Sequence, residues 1–174
     1  MKVLPSLLKV VGFSLLVFSA VVASYAATAS ALASASAQIV VPVGIVAASG
    51  ATLNFGQVVP YTGGTVIIAP VTAGARSATG SVQAVAQSTY GSAAFIVTGN
   101  GADTFSIGLP ASVTLHGTAS PNLITVDAFT SNPSTTGQLT AGTQTVIIGA
   151  TLEVGANQAA DIYTGTFNVT VQYN

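Results

Sequence analysis

The chain of 174 residues contains no cysteine and no tryptophan, and only 4% of its residues are charged. The absence of cysteine excludes disulfide bonds, thiolate-bound zinc or iron–sulfur centres and cysteine nucleophiles. The sequence carries three Lys and Arg residues in total, whereas nucleic-acid binding requires several such side chains on phosphates. Nucleic acid is therefore excluded as a partner, and the fold must be held by its apolar core.

The residues needed for common kinds of catalysis are also scarce. His116 is the only histidine, and no Gly-x-Ser-x-Gly motif is present to expose a nucleophilic serine. Because His116 precedes a glycine at the predicted end of a strand, we interpret it as a polar cap. The acidic residues are widely separated in sequence, so no pair is placed for glycoside hydrolysis; they are Asp103, Asp127, Glu153 and Asp161.

One loop has a weak likeness to an ion-binding loop. Residues 99–103 read Gly-Asn-Gly-Ala-Asp, but the third glycine of a dinucleotide motif is missing and the segment is not repeated. Asn and Gly adopt positive φ readily, which is typical of tight hairpin turns. The sequence therefore predicts a hairpin turn here, and we expect no enzymatic activity, no catalytic residue, no cofactor and no metal.

The N-terminus has the pattern of a secretory signal peptide. Lys2 and Lys9 provide the basic region, residues 10–22 are apolar, and small residues at 24–26 and 29–31 offer cleavage sites. No later apolar run approaches the roughly 18 residues of a transmembrane helix. We therefore predict a signal peptide at residues 1–26 and an exported protein, located from the periplasm to the cell surface or outside, with no membrane span after cleavage.

Removal of the signal peptide leaves very little charge. Arg76 then remains as the only strong cation against four acidic residues, which gives a net charge of about −3 with His116 neutral. Soluble monomers usually carry charges of both signs over their surface. This composition favours a surface covered by neighbouring molecules, although a soluble exported domain rich in Thr, Ser and Gly remains the alternative.

The segment after the signal peptide alternates with a period of two. Every odd position from Ala27 to Ala47 is apolar, whereas several even positions carry Ser, Thr or Gln. Such alternation is typical of a β-strand with one apolar face. We divide the exported part into an extension at residues 27–38 and a domain at residues 39–174, and we regard the extension as a strand able to pair outside its own domain.

The rest of the chain is predicted to be all-β. Short runs of Val, Ile, Thr and Phe alternate with Gly, Pro, Asn and Ser, and no segment has apolar residues at helical spacing. Nine or ten short strands of this kind favour an immunoglobulin-like two-sheet sandwich, which a donor strand could complete. The predicted strands are 39–47, 51–55, 65–69, 81–86, 93–98, 104–109, 112–115, 123–129, 144–154 and 163–173.

The last predicted strand alternates most regularly. One of its faces consists of Phe167, Val169, Val171 and Tyr173, and the other is polar. It lacks the Lys or Pro residues that usually protect an exposed sheet edge. Two interpretations remain: an uncovered edge strand, or a central strand paired on both sides. We expect the core to contain Leu53, Phe55, Phe95, Val97, Phe105, Ile107, Leu152, Val154, Phe167, Val169 and Val171.

Several ordered motifs resemble a known family. They are Leu53-Asn54-Phe55-Gly56 and the segments 95–99, 109–115, 146–152 and 163–173. Together they resemble the secreted bacterial domain-of-unknown-function family 4402 over residues 39–174. The Leu-Asn-Phe-Gly box and the C-terminal segment are also similar to spore-coat-protein-U and archaic chaperone–usher pilin domains of Gram-negative bacteria. This second resemblance implies an incomplete immunoglobulin-like fold polymerised by donor-strand exchange. Unlike those pilins, the chain has no cysteine and its donor-like segment is rich in alanine.

Two functions follow from these observations. The first is a non-enzymatic fimbrial subunit that assembles with copies or related subunits, with a periplasmic chaperone and an outer-membrane usher as implied partners. Its donor residues would be Ala31, Ala33, Ala35, Ala37, Ile39, Val41 and Val43, and its acceptor edge Phe167, Val169, Val171 and Tyr173. The second is a stand-alone adhesin or carbohydrate-binding module, for which Tyr61 and Tyr90 are the only loop aromatics.

Overall fold

The computed structural model describes residues 28–174, so the predicted signal peptide lies outside the described residues. All regular secondary structure in this range is β, which confirms the predicted all-β class. No helix of these residues is long and apolar enough to cross a membrane. The strands are β1 (Gly44–Ala47), β2 (Val58–Val59), β3 (Gly64–Ile68), β4 (Arg76–Gly80), β5 (Gln83–Ala84), β6 (Ala93–Thr98), β7 (Thr104–Gly108), β8 (Ser112–Gly117), β9 (Leu123–Asn132), β10 (Thr136–Gln138), β11 (Thr143–Val154), β12 (Tyr163–Thr164) and β13 (Thr170–Tyr173).

The strands form three sheets. The largest has eight strands in the order β1-β6-β11-β9-β8-β12, with β3 paired to β11 and to β4. A second sheet has the order β10-β7-β13, and β2 pairs with β5. Strand β11 organises the large sheet because it pairs antiparallel with β6, β3 and β9. A register shift next to Gly149 accompanies the change of partners, and a side chain at Gly149 would collide with the backbone carbonyl of Ile68.

The buried side chains form two clusters, which divide the interior of the domain. The first cluster consists of Phe55, Val66, Ile68, Val82, Ile124, Val126, Ala150, Leu152 and Val154. The second cluster consists of Ala93, Val97, Phe105, Leu139, Val146 and Ile148. Residues from the large sheet and from the β10-β7-β13 sheet meet in the second cluster, so the two sheets share that core.

The predicted core is confirmed. Five of the eleven residues are buried, namely Phe55, Val97, Phe105, Leu152 and Val154. The other six are partly buried and pack against one or both clusters; they are Leu53, Phe95, Ile107, Phe167, Val169 and Val171. The alternation of apolar and polar residues therefore identified the inward face of these segments correctly.

Several predicted strand boundaries are wrong. The strand expected at 39–47 begins only at Gly44; Pro42 just before it has no N–H to donate to a sheet. The strand expected at 51–55 is replaced by a single bridge from Asn54 to Gly91. There the Asn54 side chain accepts a hydrogen bond from the Gly56 N–H at 2.9 Å, and Gly56 has φ 74°, so the backbone turns instead of continuing.

Two further expectations are corrected in the connections. The turn at 99–103 joins β6 to β7, which belong to different sheets, so it is not a hairpin. The strand expected at 163–173 is divided into β12 and β13, which also pair in different sheets. In addition, β4 was not predicted, because its residues Arg-Ser-Ala-Thr-Gly carry no large apolar side chain.

Candidate functional site

Two neighbouring apolar cavities border the first cluster. The larger has a volume of about 460 Å³ and the smaller about 340 Å³. Leu53, Phe55 and Leu115 line both of them, and we call the two cavities together the apolar groove. For comparison, an apolar cavity of about 150 Å³ is sufficient to hold a benzene molecule. The groove therefore leaves room for several large aliphatic side chains inside the domain.

One wall of the groove is formed by a segment whose backbone is unpaired. Gly165, Thr166 and Phe167 line the smaller cavity. No backbone hydrogen bond joins residues 165–169 to another backbone group of the described chain. Phe167 and Val169 nevertheless point toward the second cluster. Within residues 28–174 the segment is thus held by its side chains, and its N–H and C=O groups have no backbone partner.

The expected acceptor residues lie along this segment and the strand that follows. Phe167, Val169, Val171 and Tyr173 are all half-buried against the second cluster, and the residues between them are exposed. The Phe167 ring contacts those of Phe95 and Phe129, with centroid distances of 6.1 and 5.2 Å. Among residues 28–174, β13 pairs with β7 only, so it forms an edge of its sheet.

The expected donor residues lie mostly in solvent. The alanines at 31, 33, 35 and 37 are exposed and belong to no strand. Ile39 is 97% exposed and Val41 58% exposed, which is unusual for large aliphatic side chains. Val43 differs from them because it is partly buried and packs against the second cluster of its own domain. Of Ile39, Val41 and Val43, only Val43 therefore packs its side chain against a buried cluster.

A loop between β11 and β12 covers the larger cavity and is fixed by Asp161. Its carboxylate accepts hydrogen bonds from the Ser120 and Thr118 hydroxyls and from the backbone N–H groups of Ala119 and Ile162. These bonds, that of Ser120 above all, lower the pKa of Asp161 from 3.8 to about 2, against a smaller opposing effect of desolvation. The carboxylate thus joins this loop to the β8–β9 connection.

Arg76 is bonded to the backbone of Phe55, which lines both cavities of the groove. Its guanidinium donates hydrogen bonds to the carbonyl oxygens of Phe55 (3.1 Å) and Val85 (2.6 Å) and to the Ser88 hydroxyl (2.9 Å). It also lies 4.3 Å from the centre of the Tyr90 ring, a cation–π geometry. The only strong cation of the described residues is therefore used to hold the chain at Phe55.

The remaining polar residues form no recognisable reactive site. His116 is exposed in β8, opposite Leu123 of β9 and Thr164 of β12. No group of three or more His, Cys, Asp or Glu side chains within residues 28–174 is placed to hold a metal ion. The Asn100 side chain bonds to Asp103 at 3.0 Å within their turn. In the part of the chain that the structure describes, the groove is the most distinctive site.

The sequence identified part of this groove. Leu53 and Phe55 were expected in the core, but Leu115, Val113 and the covering loop at residues 155–162 were not assigned to a site. The alternation of 112–117 indicated a one-sided strand, but periodicity does not show whether that face meets a packed core or an open cavity. Only the spatial arrangement of the strands could reveal the groove.

The comparisons with known proteins identify a family. A family model described as a domain of unknown function, DUF4402, matches residues 45–173. No curated protein and no solved structure matches the chain. The matched region extends from β1 to the end of β13 and includes every residue that lines the groove. The chain therefore belongs to the DUF4402 family.

Proposed function

We propose that this protein is an exported, non-enzymatic structural subunit, fimbrial or pilin-like, that assembles at the cell surface by strand addition. In this proposal the domain is an incomplete immunoglobulin-like sandwich whose groove receives a strand from a neighbouring subunit. Its own residues 29–43 form the strand that it offers in turn. A periplasmic chaperone and an outer-membrane usher are the partners that such an export route requires.

The observation that carries the proposal is the coincidence of the apolar groove with an unpaired backbone. Residues 165–169 border the smaller cavity and make no backbone hydrogen bond to the described chain. Strand addition uses both features, because main-chain hydrogen bonds supply affinity and pockets for alternate side chains supply specificity. A monomer that kept this edge uncovered would expose a template for aggregation.

The N-terminal segment has the complementary properties. Residues 29–42 are exposed and belong to no strand, the segment alternates, and at about 3.3 Å per residue the fifteen residues 29–43 span about 50 Å. Its alanines bury little surface, so most of the affinity would come from the backbone and from Ile39, Val41 and Val43. Each of these three side chains contributes roughly 1.5–3 kcal/mol when fully buried.

The test places one charge on either face of the donor segment. Val41→Asp puts an unpaired carboxylate on the inserted face and should abolish assembly. Val40→Asp is the matched control: Val40 is also exposed, at 43%, but points to the opposite face of an extended strand. Material sheared from exporting cells is run on a mild-denaturant gel, with and without boiling. Wild type and Val40→Asp should give ladders that collapse to monomer on boiling, and Val41→Asp should give monomer throughout.

A synthetic peptide of residues 29–43 tests the acceptor side separately. In excess it should occupy the grooves and stop the growth of ladders, whereas the peptide with Val41→Asp should not. If the wild type runs as monomer without boiling and is monomeric by light scattering, strand addition is wrong. The stand-alone adhesin or carbohydrate-binding module would then replace it, although one face of the Tyr90 ring that such a module would use is already occupied by Arg76.

A further inference from the structure

The hydroxyl group of Tyr173 joins the C-terminal strand to the N-terminal segment. It donates a hydrogen bond to the Val41 carbonyl oxygen at 2.7 Å, across 132 positions of the sequence. It also accepts a hydrogen bond from the Asn100 N–H at 2.7 Å. Both bonds of this hydroxyl are thus made to backbone groups, which fixes its position between the two ends of the domain.

The surroundings of this hydroxyl are adapted to it. Gly99 lies directly beside it, and a side chain at that position would collide with the Tyr173 oxygen. The Tyr173 ring packs against the second cluster together with Val43 and Ile45. The Tyr173 side chain therefore links β13 to the chain at Val41, just before β1 pairs with β6 in the large sheet.

This contact joins two groups that the proposed assembly would use between subunits. Val41 and Val43 belong to the proposed donor strand, and Tyr173 belongs to the proposed acceptor edge. A contact within one chain acts at an effective concentration in the millimolar range. A second copy at micromolar concentration must therefore displace a competitor that is always present.

We propose that the free protein is a self-capped monomer, in which the Tyr173 side chain holds its own residues 41–43 against the domain and so keeps them from a second copy. This inference rests on the proposed function. Assembly exchanges the intramolecular contact for an intermolecular one, as in domain swapping, and Tyr173 is the positioning residue that sets the rate of this exchange. The partner is a second copy of this chain.

The experiment measures the initial rate of assembly of purified protein at a fixed concentration by light scattering. Tyr173→Phe keeps the ring and removes the hydroxyl. It should accelerate assembly about fivefold, as expected from the loss of the one hydrogen bond, to the Val41 carbonyl, that assembly has to break. Tyr61→Phe is the matched control, since its hydroxyl donates to the Gln83 side-chain oxygen at 3.3 Å and Tyr61 lines neither cavity of the groove. The control should assemble at the wild-type rate.

A second variant disturbs the hydrogen bond between Tyr173 and Val41 without changing either residue. Gly99→Ala should displace the Tyr173 hydroxyl and accelerate assembly similarly, and the double variant should be no faster than Tyr173→Phe alone. The rate distinguishes a capping role from a structural one, because a general effect of losing a tyrosine hydroxyl would accelerate the Tyr61→Phe control as well.

The outcomes separate the two proposals. If the wild type assembles and Tyr173→Phe is equally fast or slower, self-capping is wrong while strand addition stands. Acceleration of Tyr61→Phe to the same extent would also overturn self-capping, since the effect would then be general. If neither the wild type nor any variant assembles, and the peptide of residues 29–43 does not bind, strand addition itself is wrong.

Discussion

The two core clusters contain the same kinds of side chain but differ in how completely they are enclosed. None of the six buried residues of the second cluster lines either cavity of the groove. In the first cluster, Phe55, Ile124, Leu152 and Val154 line the larger cavity and remain 5–7% exposed. Apolar composition alone therefore does not close a β-domain, because enclosure depends on whether a further strand covers the apolar face.

The largest expected loss of stability follows a substitution in the second cluster, which is fully enclosed. Phe105 is fully buried, and its ring occupies the space that the absent side chain of Gly137 leaves. Phe105→Ala should lower the free energy of unfolding by about 5 kcal/mol, at the upper end of the range for such substitutions. Chemical denaturation followed by tyrosine fluorescence or circular dichroism measures this. A loss below about 2 kcal/mol would show that the second cluster is not closely packed.

Replacing a phenylalanine by alanine should lower the free energy of unfolding less in the first cluster, which borders the groove. Phe55 lines both cavities, so part of its ring has no neighbouring atoms to lose. Phe55→Ala should therefore lower the free energy of unfolding by about 3 kcal/mol, at the lower end of that range. The comparison fails if Phe55→Ala proves as costly as Phe105→Ala under the same conditions.

A substitution of Arg76 should lower the stability less than either of these, because Arg76 acts through its hydrogen bonds to the backbone near the first cluster. Arg76→Lys keeps the charge but loses the planar fork that bonds the carbonyls of Phe55 and Val85 together. We expect the free energy of unfolding to fall by about 1.5 kcal/mol, the lower limit for a hydrogen bond to a charged group. Thermal and chemical unfolding measure it, and an unchanged stability would mean that a lysine ammonium replaces these contacts.

The smallest effect should come from Asp161 and should depend on pH. Because its folded-state pKa of about 2 lies below the ordinary value of 3.8, its stabilising contribution is complete above the higher value and is lost as the pH falls toward 2. Asp161→Asn should unfold at a lower temperature than wild type at neutral pH, with the difference disappearing between pH 4 and 2. A difference that persists at pH 2 would assign the effect to packing.

Much of the fold could be predicted because alternation with a period of two survives in the structure. β6 has the predicted bounds of 93–98, and the inward face of 167–173 is the predicted one. The strand boundaries failed where a single residue changes the backbone, as at Pro42 and at the turn of Asn54 and Gly56. Such effects depend on one N–H or one φ angle, to which a pattern over ten residues is insensitive.

The site was harder to predict than the fold. Its walls come from Leu53, Leu115, Leu152 and Gly165, which are far apart in sequence and meet only through the sheet order. An apolar residue facing a cavity has the same sequence pattern as one facing a packed core. The donor and acceptor segments proposed from the sequence remain predictions, and the peptide experiment tests them directly.

The division of the C-terminal segment between two sheets has a mechanical consequence. β12 is hydrogen-bonded to β8 in the large sheet, and β13 is hydrogen-bonded to β7 in the smaller one. A force that pulls these two sheets apart would act on the hydrogen bonds of β12 and of β13 at the same time. The five residues 165–169 that connect β12 to β13 would be stretched first. The domain should therefore resist tension through this connection before its core begins to separate.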